Sequence, residues 1–178
     1  MKEIEKKYLV EYVSDETLFY CHVGTKTIQQ GYISVEESGK EIRIRKIRTK
    51  TRSENGCDDS TSYCLTVKSG QGLAREETEM EISPEQFEVL WPLTLHRRII
   101  KDRLLIALKD GLIAEVDFYF GNLGGLYTAE VEFPDVETAE AFTPPDWFGA
   151  DITKDNRFKN QNLAALKSVE ELWSEPAT

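Results

Sequence analysis

Apolar and polar residues alternate with a period of two along most of this chain, as in strands, where residues i and i+2 share a face. Such runs predict eight strands, near residues 3–10, 27–35, 41–48, 63–68, 75–82, 98–108, 112–120 and 127–133. The stretch from Thr49 to Ser62, carrying Asn55-Gly56 and Asp58-Asp59-Ser60, predicts a long exposed hairpin loop. Three segments change to helical spacing. Ser83-Pro84-Glu85-Gln86 is a capping box with proline in the first turn, followed by Phe87, Leu90 and Trp91 on one face and stopped by Pro92. A second short helix is predicted between Asp135 and Pro144. A third runs from Asn160 to Trp173, with Leu163, Leu166, Val169 and Trp173 on its buried stripe. No repeat or linker divides the 178 residues, so they read as one α+β domain.

Sorting the strands by face separates apolar from charged positions. Glu3, Glu5 and Lys7 oppose Ile4, Tyr8 and Val10, and Arg43 and Arg45 oppose Ile42 and Ile44. Thr66 and Lys68 oppose Leu65 and Val67, while Arg75, Glu77 and Glu79 alternate with Thr78 and Met80. Lys101 and Arg103 alternate with Ile100 and Leu104, Glu115 and Asp117 oppose Val116 and Phe118, and Glu130 and Glu132 oppose Ala129 and Val131. Alternation alone also suits a sheet with one solvated face. What distinguishes these strands is that consecutive same-face positions are given over to charge, with purely acidic and purely basic pairs kept apart.

Composition narrows the function classes. A formal net charge of −10 argues against general nucleic-acid binding, which needs a dominant basic surface. No apolar run is long enough to span a bilayer and the N-terminus has no signal-peptide core, so no membrane partner is expected. Cys21, Cys57 and Cys64 have no metal-ligand spacing and read as reduced thiols of a cytoplasmic protein. His22 and His96 accompany no other metal-type ligands, and no P-loop, serine elbow or dinucleotide fingerprint is present. Carboxylate clusters suit hard divalent cations such as Mg²⁺ or Mn²⁺, and arginine forks suit phosphate oxygens.

Taken in order, Glu3-x-Glu5-x-Lys7, Gln30-Gly31-Tyr32, Glu41-Ile42-Arg43-Ile44-Arg45, Leu65-Thr66-Val67-Lys68, Lys101-Asp102-Arg103, Glu115-Val116-Asp117 and Glu130-Val131-Glu132 resemble the CYTH superfamily, the triphosphate tunnel metalloenzymes. The resemblance covers nearly the whole chain and is strongest to compact bacterial members. It implies an eight-stranded antiparallel β-barrel forming a tunnel, with helices packed outside and a C-terminal helix. It also implies Mg²⁺- or Mn²⁺-dependent hydrolysis of a triphosphate chain, with inorganic triphosphate the leading substrate. Glu3, Glu5, Asp117, Glu130 and Glu132 would hold the metal, and Lys7, Arg43, Arg45, Lys68, Arg75, Lys101 and Arg103 the triphosphate. Lys7 and Tyr32 resemble a pair proposed as proton acceptor in relatives, and crowding cations can depress a lysine pKa. A class IV-type adenylyl cyclase, a thiamine or nucleoside triphosphatase and a non-catalytic polyphosphate-binding module are the competing readings. A homodimer is left open.

Overall fold

Nine strands make one antiparallel sheet in the computed structural model, which describes residues 4–13, 22–36, 38–53, 56–69 and 76–174. Glu3 and Arg75 therefore lie outside the described residues. The strands are β1 (Ile4–Val10), β2 (His22–Val35), β3 (Glu41–Ser53), β4 (Gly56–Ser69), β5 (Glu76–Glu81), β6 (Arg98–Ala107), β7 (Ile113–Tyr119), β8 (Tyr127–Phe133) and β9 (Phe148–Asp151). Their order across the sheet is β5-β4-β3-β2-β6-β7-β8-β1-β9. Among the described residues no ladder joins β5 to β9, so the sheet keeps two edges where the sequence predicted eight strands in a closed barrel. The sheet nevertheless curls, because Glu77 and Glu79 near one edge and Glu5 near the other line the same cavity.

The sheet buries apolar side chains on its outer face. Tyr8, Val116, Ala129, Val131 and Phe133 form a core with Ala139 and Phe148, under a short helix after Asp135 and the segment leading to β9. Asp135 caps α2 (Val136–Ala141) by accepting from Thr138 N. Helix α1 (Pro84–Leu90) carries the predicted reciprocal box, with Gln86 N donating to Ser83 Oγ and Ser83 N donating to the Gln86 side chain. Pro92 does not end the winding outright; the chain tightens into a 3₁₀ turn over Trp91–Thr94.

That turn pins the back of β2. Thr94 is fully buried, donates to Trp91 O at 2.7 Å and accepts from Arg98 Nε at 2.9 Å, while the Arg98 guanidinium stacks on the Trp91 ring. Only glycine fits opposite it, since a Cβ on Gly31 would lie 2.5 Å from Thr94 Oγ1 and 2.6 Å from its Cβ. Gly31→Ala should cost about 1–3 kcal/mol through overpacking, read by urea unfolding. Thr94→Ala should not rescue it, because the clash includes the Thr94 Cβ; Thr94→Gly should do so in part.

Two sequence expectations are corrected. Within the predicted loop from Thr49 to Ser62, residues 49–53 and 56–62 are strand, with β3 and β4 paired from Glu41↔Lys68 out to Ser53↔Gly56, and residues 54 and 55 lie outside the described residues. Threonines at 49, 51 and 61 are good strand formers, and Arg48 grips Asp59 across the pair through Nε at 3.0 Å. The single C-terminal helix is two short pieces: α3 (Asn160–Leu163) and a 3₁₀ turn over Val169–Leu172 capped by Ser168. Leu172 faces inward and Trp173 is 59% exposed, one position out of phase with the predicted stripe. Tertiary packing explains this, as Leu163, Leu166, Val169 and Leu172 all meet the apolar end of the sheet's inner face. Among the described residues no helix is long and apolar enough to cross a membrane.

Candidate functional site

Strand parity directs the charged positions into one cavity of about 480 Å³ on the concave face. One end of that face is apolar: Tyr32, Ile99, Tyr119 and Leu126 meet Ile152, Phe158 and Leu163 from the C-terminal segment. The segment is tied to β1 at Lys7, where Ile152 N donates to Lys7 O at 2.8 Å and Lys7 N to Thr153 Oγ1 at 3.0 Å. The remainder of the cavity is lined by charge.

Two basic groups face each other across it. On β3 and β4, Arg43 Nη2 donates to Glu77 at 3.2 Å, Arg45 pairs with Glu79, and Lys68 Nζ meets Glu77 at 2.6 Å. The Nε atoms of Arg43 and Arg45 are buried and have no hydrogen-bond partner among the described residues. On the other wall, Lys7 Nζ donates to Glu130 at 2.9 Å and to Phe158 O at 3.0 Å. Arg103 is a hub, donating to Asp117 through Nε at 2.6 Å, to Glu130 through Nη2 at 2.6 Å, and to Glu115 through Nη1. Lys101 Nζ donates to Asp117 at 2.5 Å.

Carboxylates cluster beside this second wall. Glu5 and Glu132 are direct cross-strand partners, and so are Glu115 and Glu130. Like charges placed opposite on a sheet repel. Arg103 bridges Glu115 and Glu130, and Glu5 and Glu132, both exposed, also line the cavity. Their oxygen-only chemistry suits a hard divalent cation. Among the described residues no group of three or more metal-type ligands is gathered closely enough to hold an ion. Glu3, expected on the same face, lies outside the described residues.

The electrostatics follow from these contacts. Burial works against the Lys7 ammonium, but Tyr119, Glu130 and Asp117 outweigh it and hold the pKa above the ordinary 10.5. Cation crowding was expected to depress it, but Tyr119 and the Glu130 and Asp117 carboxylates set the balance instead. Burial would raise Glu130, yet Lys7, Arg103 and Lys101 hold it well below the ordinary 4.5, and Lys101 with Arg103 do the same for buried Asp117. Burial, aided by Glu41, raises the Tyr32 phenol, whose oxygen accepts from Gln30 Nε2 at 2.7 Å.

Depressed carboxylates stabilise the fold above their unfolded pKa and lose that contribution as pH falls through the folded value. The melting temperature should thus be level near neutrality and decline from about pH 5 downward. Glu130→Gln should flatten part of that decline, measured by thermal melts across pH; an unchanged acid slope would contradict this origin.

The structure brings Glu5, Lys7, Tyr32, Arg43, Arg45, Lys68, Lys101, Arg103, Glu130 and Glu132 to the cavity, together with Lys159 at its edge. Asp117 sits beneath them. Sequence reasoning assigned no role to Glu41, Glu77, Glu79 or Glu115, which also line it. The parity signal for Glu77, Glu79 and Glu115 was present, but their function as partners of Arg43, Arg45, Lys68 and Arg103 depends on strand register.

No protein-family model matches the chain. It is similar to an inorganic triphosphatase from Nitrosomonas europaea, 39% identical over 164 residues, or 92% of this chain and 97% of the relative. An inorganic triphosphatase from Acetivibrio thermocellus is 31% identical over 163 residues, or 91% and 92% of the two chains. A solved structure of an inorganic triphosphatase superposes with TM-score 0.68 at 36% identity, covering 93% of this chain and 95% of that one. A Hippeastrum protein described as an adenylyl cyclase with dominant triphosphatase activity shares the fold alone, at TM-score 0.51 and 20% identity over 78% and 82% of the chains.

Proposed function

Because this chain belongs to the CYTH superfamily of triphosphate tunnel metalloenzymes, we propose that it hydrolyses inorganic triphosphate to pyrophosphate and phosphate with Mg²⁺ or Mn²⁺. The observation that carries this reading is the pair of buried Nε atoms of Arg43 and Arg45, without a hydrogen-bond partner among the described residues, in a cavity lined by further cations. A buried donor without an acceptor costs roughly 1–3 kcal/mol, which a phosphate oxygen would relieve.

Arg43, Arg45 and Lys68 on one wall and Lys7, Lys101 and Arg103 on the other would hold the chain extended between them, with Arg75 a further ligand. Phosphoryl transfer to water asks little covalent chemistry of a protein. These donors would position the terminal phosphoryl group and stabilise the charge that develops as the bond to the pyrophosphate oxygen breaks. Lys7 enters as an ammonium and Tyr32 as a neutral phenol, the pair closest to the apolar end. Glu5 and Glu132, with Glu3 and Glu130, would hold the divalent ion, which would neutralise phosphate charge and lower the pKa of bound water. The curled sheet would close into a tunnel around the occupied site.

Inorganic triphosphate is favoured over a nucleotide by the described part of the wall. Among the described residues Tyr32 and Phe158 are the aromatic ones of the lining, and both are only 2% exposed, so neither offers a ring face for a base. All the proposed ligands come from one chain, so activity would not require a dimer. The reading also places the protein in the cytoplasm. The test is to offer the purified protein triphosphate, ATP and thiamine triphosphate with Mg²⁺ or Mn²⁺ and to measure phosphate, pyrophosphate and cyclic nucleotide. Phosphate release from triphosphate that stops with EDTA is the expected result. Cyclic AMP would replace this reading with a cyclase, and tight binding without turnover would replace it with a binding module.

A further inference from the structure

Asp117 differs from the other acidic residues of the site. It is 0% exposed and does not line the cavity, whereas Glu5, Glu115, Glu130 and Glu132 do. Both of its oxygens are already committed. Oδ1 accepts from Arg103 Nε at 2.6 Å, and Oδ2 accepts from Lys101 Nζ at 2.5 Å and from Arg103 Nη2 at 2.7 Å. The cations it holds are the ones that face the cavity. Arg103 stands directly across the strand pair from Asp117, and Lys101 across from Tyr119, so one carboxylate on β7 reaches both side chains of β6.

We infer that Asp117 is a positioning residue that clamps Lys101 and Arg103 from beneath, in the geometry in which they meet the phosphate chain, and that it does not ligate the metal. The inference rests on the triphosphatase reading of the same cavity. A lysine side chain has many rotamers, and Lys101 is only 2% exposed, so a single anionic partner can select one of them. The Arg103 fork is held by Asp117 along its Nε–Nη2 edge, while its contacts to Glu115 and Glu130 lie on the cavity side. Those outer contacts are the ones a phosphate oxygen can displace without releasing the clamp. To bind a metal, by contrast, Asp117 would have to surrender bonds to two buried cations.

The two roles separate experimentally. Mn²⁺ affinity is measured by electron paramagnetic resonance, without substrate, in the wild type, Asp117→Asn and Glu132→Gln. Asp117→Asn should leave the Mn²⁺ dissociation constant within about twofold, while Glu132→Gln weakens it about tenfold or more. Asp117→Asn should also lower kcat/KM for triphosphate about 10²-fold, the scale of a small misplacement of reacting groups. In a Lys101→Met background the same change should cost far less, because residues that act through one another are not additive. Ten-fold weaker Mn²⁺ binding in Asp117→Asn, or losses that multiply in full, would overturn the inference. Asp117→Asn alone leaves buried Lys101 without its ion-pair partner. The Asp117→Asn/Lys101→Met double variant removes both charges and keeps the Mn²⁺ titration readable if the single variant fails to fold. Absence of wild-type triphosphate turnover would sink the proposed activity, whereas Mn²⁺ and triphosphate binding would still judge Asp117.

Discussion

Replacing Arg103 by methionine should lower kcat/KM for triphosphate by about 10³-fold or more, the scale of removing a preorganised charge donor. The same change should destabilise the fold by about 3–5 kcal/mol, as for other buried pairs broken from one side. Methionine preserves most of the stem and its packing, so the loss isolates the guanidinium. Asp117, Glu115 and Glu130 all share that one group. Without it, Glu115 and Glu130 face each other across the β7–β8 ladder unbridged, and Asp117 keeps only Lys101. Some of these carboxyls would take up protons, and the variant should therefore recover stability on mild acidification, opposite to the wild type. Arg103→Lys should fall between the two, because a lysine supplies charge but cannot fork to three partners. Urea unfolding and steady-state phosphate release measure both effects. Activity within tenfold of the wild type would remove Arg103 from the centre of the site.

Lys7→Met should have a comparable effect on turnover, about 10²–10³-fold in kcat, for a different reason. Lys7 is the point where the N-terminal strand, the carboxylate wall and the C-terminal segment meet. Its ammonium holds Glu130 and the Phe158 carbonyl, and its backbone holds Ile152 and Thr153. Methionine leaves the backbone ties in place, so the segment should stay docked and the loss of stability should be the smaller consequence. Calorimetric titration with triphosphate then divides the possibilities. Retained binding with lost turnover assigns Lys7 to the chemical step; binding lost in proportion to turnover reduces it to one phosphate ligand among six described cations. Its raised pKa favours an ammonium in the free enzyme, so any proton-accepting role requires the bound state to reverse that balance.

Much of this could be read from the chain before any coordinates. A period of two assigns side chains to faces without reference to neighbours, so Glu5, Lys7, Arg43, Arg45, Lys68, Lys101, Arg103, Glu130 and Glu132 fall on charged strand faces; those faces line the cavity, a direction that parity leaves open and the resemblance implied. Local chemistry likewise determined the capping box at Ser83 and the capped helix after Asp135. Errors arose where local signals competed with long-range contacts. The polar run from Gly56 onward read as part of a loop, but β-pairing with β3 satisfied its backbone and extended the strand. The stripe at Leu163, Leu166 and Val169 read as one helix, but the apolar end of the sheet could be covered equally by two short turns. The short strand β9 carried no recognisable alternation, and its pairing with β1 exists only because the chain returns past Val10.

Periodicity separated charged from apolar strand faces and read the chain as one α+β domain, whereas the antiparallel arrangement, the inward direction of the charged faces and the family were implied by the resemblance of the ordered motifs. Facial sorting is a consequence of parity, a property that each strand carries alone. Only the tertiary structure decided how those charges divide their work. Strand order and register placed Asp117 beneath Lys101 and Arg103, made Arg103 the bridge between Glu115 and Glu130, and left the Arg43 and Arg45 Nε atoms without hydrogen-bond partners among the described residues. A carboxylate pointing inward can be a metal ligand or a clamp under a cation; the distinction lies in which side chain the neighbouring strand sets opposite, a nonlocal fact that no single strand encodes.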